Sequence, residues 1–129
     1  MAHGRDKNQR IIKEKLARQK SGETLDALFD GAVQLFQSRA GYRFSIDALL
    51  LAHFVMLKRR DRVVDLGTGS GVISLILAGL HPEISILGVE YQSALAARAA
   101  RNVKLNRHES RIAIRRGDVR AAASLGPAE

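Results

Sequence analysis

The chain has 129 residues, enough for one domain, and it contains no cysteine, which excludes disulfide bonds and thiolate zinc sites. Its composition, 46% apolar and 26% charged, is typical of a soluble globular protein, and no apolar stretch approaches the roughly 20 residues of a membrane-spanning helix. Because the charged N-terminus does not resemble a signal peptide, we expect a cytoplasmic protein without membrane contact.

The net charge of +8 is concentrated in two segments. Residues 1–20 carry seven basic residues against two acidic ones, and residues 98–120 carry eight against two. Lys and Arg contacts to phosphates supply affinity for nucleic acids, so these segments predict a polyanion partner. The alternative is a solvated tail and a solvated helix face, since runs of charge are commonly disordered.

The first elements in chain order are short. Residues 1–22 predict a basic tail or a lone basic helix, and residues 23–129 predict one domain. Within that domain, residues 23–29 predict a short helix, and residues 33–37 and 42–44 predict the two strands of a short hairpin.

A helix is predicted next, with Ser45 as its cap and Asp47 in its first turn, where the helix dipole favours an acid. Apolar residues recur at helical spacing and predict one inward face. These are Ile46, Leu49, Leu50, Phe54 and Leu57.

Residues 62–71, R-V-V-D-L-G-T-G-S-G, predict a strand that contains Asp65 and a loop with glycines at alternate positions, and an apolar helix follows. This order places a nucleotide-like ligand at the end of a parallel sheet. A dinucleotide fingerprint, G-x-G-x-x-G, has wider spacing between its last two glycines, so a nicotinamide or flavin site is disfavoured. The pattern D-x-G-x-G-x-G resembles the first motif of the class I S-adenosylmethionine methyltransferases.

Two further strands complete a β-α-β-α-β unit. Residues 84–89 end at Glu90, a helix begins near Ser93, and residues 111–115 are followed by Asp118. Right-handed crossovers predict the strand order third, second, first, with the three strand ends along one rim. The predicted fold is therefore α/β: an incomplete Rossmann-like sheet of three parallel strands with helices, preceded by a short hairpin and a basic segment.

The rim offers groups for each part of a nucleoside. The Glu90 carboxylate can accept hydrogen bonds from both ribose hydroxyls, with Tyr91 and Gln92 bordering the base. Asp118 can accept a hydrogen bond from an adenine amino group, with Val119 against the ring. A strand-end acid facing water, ordinary Gly-Asp turn chemistry and simple packing of Tyr91 are the alternatives.

Two other acids are less specific. Asp65 lies beneath the glycine loop, where it can bind loop N–H groups or, through water, the ammonium group of a ligand. Asp47 is explained equally well by helix electrostatics and by a ligand role. The histidines have no metal-ligand spacing, and we expect no metal.

Five segments resemble, in this order, the N-terminal half of the tRNA(Val) (adenine-N6)-methyltransferase family, a small-domain type of methyltransferase. They are F-S-I-D-A-L-L-L-A-H-F (44–54), V-V-D-L-G-T-G-S-G-V-I (63–73), G-V-E-Y-Q (88–92), A-R-A-A-R-N-V-K-L-N (97–106) and G-D (117–118). The resemblance implies S-adenosylmethionine as cofactor and tRNA as partner through the basic segments. The candidate cofactor residues are Asp47, Asp65, Gly67, Thr68, Gly69, Gly71, Glu90, Tyr91, Gln92, Asp118 and Val119.

The same resemblance implies an Asn-Pro-Pro-aromatic motif that holds the target adenine, and this sequence does not contain it. The prolines, Pro82 and Pro127, are isolated, so no catalytic residue is assigned. We therefore expect a domain truncated before the catalytic motif and possible inactivity of this chain alone. The strand at residues 62–66 would then be an open apolar edge, covered by the hairpin at 33–44, by a second copy, or by a missing C-terminal half.

Two other functions stay open at this point. One is a non-catalytic fragment that binds S-adenosylmethionine or RNA through these segments. The other is a protein methyltransferase, because the release-factor glutamine methyltransferases share the glycines and the strand-end acids.

Overall fold

The computed structural model describes residues 2–41 and 43–121 of the chain. Within these residues there are four helices and five strands. No helix within these residues is long and apolar enough to cross a membrane. In chain order the elements are α1 (Ala2–Ala17), β1 (Glu23–Leu28), β2 (Val33–Ser38), α2 (Ile46–Phe54), β3 (Arg62–Leu66), α3 (Val72–Leu80), β4 (Ser85–Glu90), α4 (Ser93–Leu105) and β5 (Ile112–Arg116).

The parallel sheet has the predicted strand order β5-β4-β3. The register pairs Val64 with Leu87, and Leu87 with Ala113, so the carboxyl ends of the three strands lie along one rim. Each crossover is a single short helix, α3 or α4, as the helical spacing of apolar residues predicts. The α/β fold class is therefore confirmed.

The two faces of this sheet differ in burial. Val63, Ile86 and Ile112 lie side by side on the face that packs against the helices, and they contribute to the hydrophobic core. On the opposite face, Val64 is 41% exposed and Leu66 is 59% exposed. β3 is also an edge strand, because β4 is its neighbour within the sheet. In the described residues, the edge of β3 is thus unpaired, and the apolar side chains of Val64 and Leu66 on this face are exposed.

The hairpin differs from the predicted one. Residues 23–29, predicted as a helix, contain strand β1, which pairs antiparallel with β2. Pairing with β2 across a short turn overrides the weak helical preference of this segment. Arg43 and Phe44, predicted as a strand, lie in an irregular segment, and Tyr42 lies outside the described residues.

This hairpin does not cover the open edge of the parallel sheet. It forms a separate two-stranded sheet, and β2 packs against α3 and α4. Of the three covers predicted for β3, the hairpin is therefore wrong, because it lies on the helix layer, and the second copy and the C-terminal half stay predictions.

Details of the helices also differ from expectation. Ser45 occupies the cap position of α2 without a side-chain hydrogen bond, and Gln92 rather than Ser93 precedes α4. Of the five residues predicted to face inward here, Leu49 and Leu57 pack against the core. The other three are exposed, with 69% of Ile46, 62% of Leu50 and 83% of Phe54 accessible. The side of α2 that packs on α3 contains the fully buried Ala52 and the half-buried Leu49, and the other large apolar side chains of the helix face outward.

A buried ion cluster joins the basic N-terminal segment to the rest of the fold. The Glu23 carboxylate, 4% exposed, binds Arg98 at 3.1 Å and Arg101 at 2.6 Å, and it accepts a hydrogen bond from the backbone N of Lys20. Arg101 also donates to the carbonyl of Arg18, just after α1. Burial of Glu23 opposes its ionisation, but the bonds from Arg101, Lys20 and Arg98 outweigh it and lower the pKa to about 2.

We predict that Glu23→Gln flattens the acid limb of stability. The carboxyl titrates near 4.5 when unfolded and near 2 when folded, so its contribution is complete above pH 4.5 and is lost as pH falls towards 2. The shift corresponds to ~3 kcal/mol of unfolding free energy. Urea unfolding at pH values between 2 and 6 measures this loss, which should be absent in the variant.

The matched control is Glu14→Gln, which removes an exposed i,i+4 pair with Arg10. This variant should keep the pH dependence of the wild type, because exposed ion pairs contribute little. An unchanged acid limb in Glu23→Gln would contradict the role of the cluster.

Candidate functional site

The loop between β3 and α3, residues 67–71 and called the glycine loop below, turns sharply over the end of β4. The backbone N–H groups of Gly67 and Thr68 both donate to the carbonyl of Val89, at 2.8 and 2.9 Å. Gly67, Gly69 and Gly71 have φ values of 73°, 59° and 87°, which side-chain-bearing residues rarely adopt. The alternating glycines of the sequence are thus required by the backbone.

Asp65 holds this loop through hydroxyl groups. Its Oδ2 accepts hydrogen bonds from Thr68 Oγ1 and from Ser74 Oγ, both at 2.7 Å. The expected bonds to loop N–H groups are therefore replaced by bonds to two side chains. Asp65 joins the loop to the first turn of α3 and stabilises its shape.

Glu90 lies at the centre of the rim and is 8% exposed. Its Oε1 accepts a hydrogen bond from the backbone N of Gly69 at 3.2 Å, and its Oε2 accepts one from Gln92 at 2.8 Å. A carboxylate has about four acceptor positions, so two donors leave capacity for further hydroxyl groups. The structure therefore brings the predicted ribose-binding acid into contact with the glycine loop.

Asp65, Glu90 and Asp118 are called the rim acids below, and the third of them is hydrogen-bonded by its own neighbour. Asp118 accepts hydrogen bonds from the Arg120 backbone at 2.9 Å and from its guanidinium at 2.8–3.2 Å, which lowers the pKa of Asp118. The backbone N of Gly117 donates to the Glu90 carbonyl at 3.0 Å, so this turn adjoins the end of β4. Tyr91 and Val119 expose 61% and 47% of their surface beside it.

Asp47 is not brought into this cluster by any hydrogen bond within residues 43–121. It lies in the first turn of α2 and is exposed. Its position satisfies the helix dipole, which was one of the two explanations of this acid.

Asn102 is a structural residue of the site that the sequence reading missed. Its fully buried side chain donates to the Ser70 carbonyl in the glycine loop at 2.8 Å and pairs with the backbone of Phe36 in β2. A signal was present, because Asn102 lies seven residues after Leu95 and three after Ala99, on the apolar stripe of α4. A buried amide at such a position needs partners.

The loop has room and polar capacity for a ligand. A Cβ atom built on Gly67 would meet no other atom within 4 Å, so a ligand can approach its backbone closely. The buried hydroxyl of Ser70 has no hydrogen-bond partner in the part of the chain that the structure describes. Glycine backbone, an unpaired hydroxyl and the Glu90 carboxylate together fit a polar, hydroxyl-bearing cofactor.

Comparison with known families identifies this arrangement. The family described as methyltransferase small domain matches residues 45–126, which include α2, the glycine loop and all three rim acids. The chain belongs to the methyltransferase small domain family. The cofactor of this family is S-adenosylmethionine, as the resemblance of the sequence motifs implied.

Curated relatives of this methyltransferase domain are longer than the chain. It is 36% identical over 90 residues to the tRNA1(Val) (adenine(37)-N6)-methyltransferases of Yersinia pestis (strain Pestoides F) and Yersinia pseudotuberculosis serotype O:1b (strain IP 31758). The match covers 69% of this chain and 36% of each relative. The chain thus spans just over a third of their length.

Solved structures agree on the fold. TYW2 of P. horikoshii in complex with MeSAdo has a TM-score of 0.65 at 22% identity, covering 79% of this chain and 38% of that one. TYW2 of M. jannaschii in complex with AdoMet has a TM-score of 0.66 at 19% identity, covering 79% and 46%. At these identities the likeness shows the shared fold alone.

We predict opposite effects of alanine at two glycines of this region. Gly71 has φ +87° with its Cβ position 3.6 Å from Ala99, so Gly71→Ala is strained by its backbone conformation and should cost about 1–2 kcal/mol of unfolding free energy. Gly79 lies within α3 with no atom near its Cβ position, so Gly79→Ala should stabilise by up to about 1 kcal/mol. Urea unfolding of both variants checks this, and equal effects would refute the strain at Gly71.

Proposed function

We propose that this chain binds S-adenosylmethionine at the glycine loop and the rim acids, as the cofactor-binding part of a methyltransferase that acts on an adenine N6 in tRNA. The observation that carries the proposal is the Glu90 carboxylate, held by Gly69 and Gln92 at the rim of the sheet. Ribose hydroxyls can donate to its remaining acceptor positions.

The other residues have separable roles in this proposal. Asp65 keeps the loop in shape through Thr68 and Ser74, and the N-terminus of α3 directs its backbone N–H groups towards the bound ligand. Asp118 can receive the adenine amino group if its bond to the Arg120 side chain opens. We include Asp47, Tyr91 and Val119 as peripheral contacts.

S-adenosylmethionine supplies a methyl group on a sulfonium, and direct displacement makes catalysis a matter of positioning. The target adenine must therefore be held by groups in a fixed place. We propose that these groups lie on polypeptide that packs against the open edge of β3, either a C-terminal half or a second copy of the chain. The exposed Val64 and Leu66 on β3 itself support such packing.

For tRNA binding, the structure supports the N-terminal basic segment more than the second one. In the second segment, Arg98 and Arg101 bind Glu23, and Arg111 donates a hydrogen bond to the Ala78 carbonyl near the end of α3. These three cations are therefore engaged within the protein. Exposed cations of α1, with Lys104 and Arg107, are better placed to meet phosphates. Arg120 is paired with Asp118.

Calorimetric titration with S-adenosylhomocysteine tests the cofactor site. We expect a dissociation constant of roughly micromolar order for the wild type and at least ~10-fold weaker binding for Glu90→Gln, because a carboxylate is lost as acceptor. Glu83→Gln, an exposed acid paired with Arg59 away from the rim, should bind like the wild type. Tighter binding of NAD than of S-adenosylhomocysteine would refute the cofactor assignment.

A methyl-transfer assay tests the acceptor. We supply the wild type with the separately produced C-terminal half of a Yersinia relative and offer unmodified tRNA or a release factor. We expect methylation of adenine in tRNA and no methylation of the release factor, because the added half provides the groups that hold the base. Methylation of the release factor would favour a protein methyltransferase, and cofactor binding without any transfer would favour a non-catalytic binding module.

A further inference from the structure

We infer that Asn102 is a positioning residue that ties the glycine loop to the β1–β2 hairpin, so that this hairpin sets the affinity for the cofactor. The inference rests on the proposed function, because it concerns the same cofactor site. It adds to that site an element, the hairpin, that lies outside the parallel sheet.

The side chain of Asn102, on α4, makes three hydrogen bonds, two to β2 and one to the glycine loop. Its Oδ1 accepts from the Phe36 backbone N at 2.6 Å, and its Nδ2 donates to the carbonyls of Phe36 at 3.0 Å and Ser70 at 2.8 Å. The amide therefore occupies the place of a neighbouring strand on the free edge of β2. The same group fixes the middle of the glycine loop.

Asn106 makes the equivalent contact one turn further along α4, without reaching the loop. Its Oδ1 accepts from the backbone N of Gln34 at 2.9 Å, and its Nδ2 donates to the Gln34 carbonyl and to the Asn102 carbonyl. Both residues dock the hairpin on α4. The bond to Ser70 is the difference between them.

The Ser70 carbonyl lies in a part of the glycine loop that neither Glu90 nor Asp65 holds. Glu90 holds the N–H of Gly69, and Asp65 holds the hydroxyl of Thr68. The peptide from Ser70 to Gly71 is fixed by the Gly71 N–H, which donates to the Thr68 carbonyl at 2.8 Å, and by Asn102 on its carbonyl. Loss of Asn102 would free one side of the peptide that leads into α3.

A second link connects the same strand to the segment before α2. Gln37, buried in β2, accepts from the backbone N of Phe44 at 3.2 Å and donates to Asp26 at 2.5 Å in β1. Neighbouring residues of β2 thus hold the glycine loop, through Asn102, and the entry to α2. The hairpin is placed to couple both.

The test compares Asn102→Ala with Asn106→Ala by thermal unfolding and by S-adenosylhomocysteine titration. Both variants lose hairpin bonds, so both should unfold at lower temperature. Only Asn102→Ala should weaken binding by tenfold or more, with Asn106→Ala within about twofold of the wild type. Equal weakening in the two variants, or unchanged binding in Asn102→Ala, would overturn the inference.

Hydrogen exchange tests the bond from Asn102 to the Ser70 carbonyl, called the tether below, separately from the cofactor assignment. Its first measurement uses the wild type, so it does not depend on a folded Asn102 variant. In the wild type, S-adenosylhomocysteine should slow exchange of the Phe36 amide, which faces Asn102, several-fold more than that of the Gln34 amide. Equal slowing would refute the coupling. Absence of any binding to the wild type would refute the proposed function and the claim on affinity together.

The tether itself is tested by amide exchange in the absence of ligand. The Gly71 amide should exchange faster in Asn102→Ala than in Asn106→Ala, both compared with the wild type at the same temperature. Equal exchange rates in the two variants would overturn the tether. If Asn102→Ala does not fold, the wild-type comparison of Phe36 with Gln34 decides.

Discussion

The contact between the Glu90 carboxylate and two backbone N–H groups is the constraint on which the site depends. A buried carboxylate is costly unless it is hydrogen-bonded, and Gly69 and Gln92 each donate a backbone N–H to one of its two oxygens. The contact requires β4 to end beside the glycine loop, which the parallel pairing of β3 with β4 ensures. The parallel pairing of β3 with β4 therefore brings Glu90 and the glycine loop together at one edge of the sheet.

Polar side chains also organise the contacts between layers. Asp65 joins the glycine loop to α3 through two hydroxyls, and Asn102 joins it to β2. Glu23 plays the same part at the other strand of the hairpin, where it brings Arg98 and Arg101 together. Asn102 and Glu23 are buried and take their partners from distant segments, so each specifies one arrangement of the layers.

Sequence patterns predicted the β-α-β-α-β unit because its signals are local. Apolar runs, short connections and the alternating glycines fix the strands, the crossovers and the loop within residues 62–118. The strand character of residues 23–28 depends on pairing with β2, and local propensity cannot report it. Periodicity likewise identified the apolar residues of α2 without telling which of its sides meets α3.

Charge was the other limit of prediction. Counting basic residues indicated two equivalent segments, but Arg98 and Arg101 have a partner, Glu23, that lies more than 70 residues away in the sequence. Such pairing is decided by the fold and changes which cations are available to a polyanion. The candidate rim acids were found because their positions follow from topology, whereas Asn102 acts through contacts that topology alone does not reveal.

The position of β3 connects the proposed cofactor site to the exposed apolar side chains of the sheet. Asp65 and the side chains next to it alternate across the sheet, so the acid supports the glycine loop while Val64 and Leu66 face the bare side. Any polypeptide that packs on these two side chains, or extends the sheet at β3, contacts the strand that leads directly into the loop. Under the proposed function, the same strand would therefore place a methyl acceptor held by that polypeptide beside the cofactor.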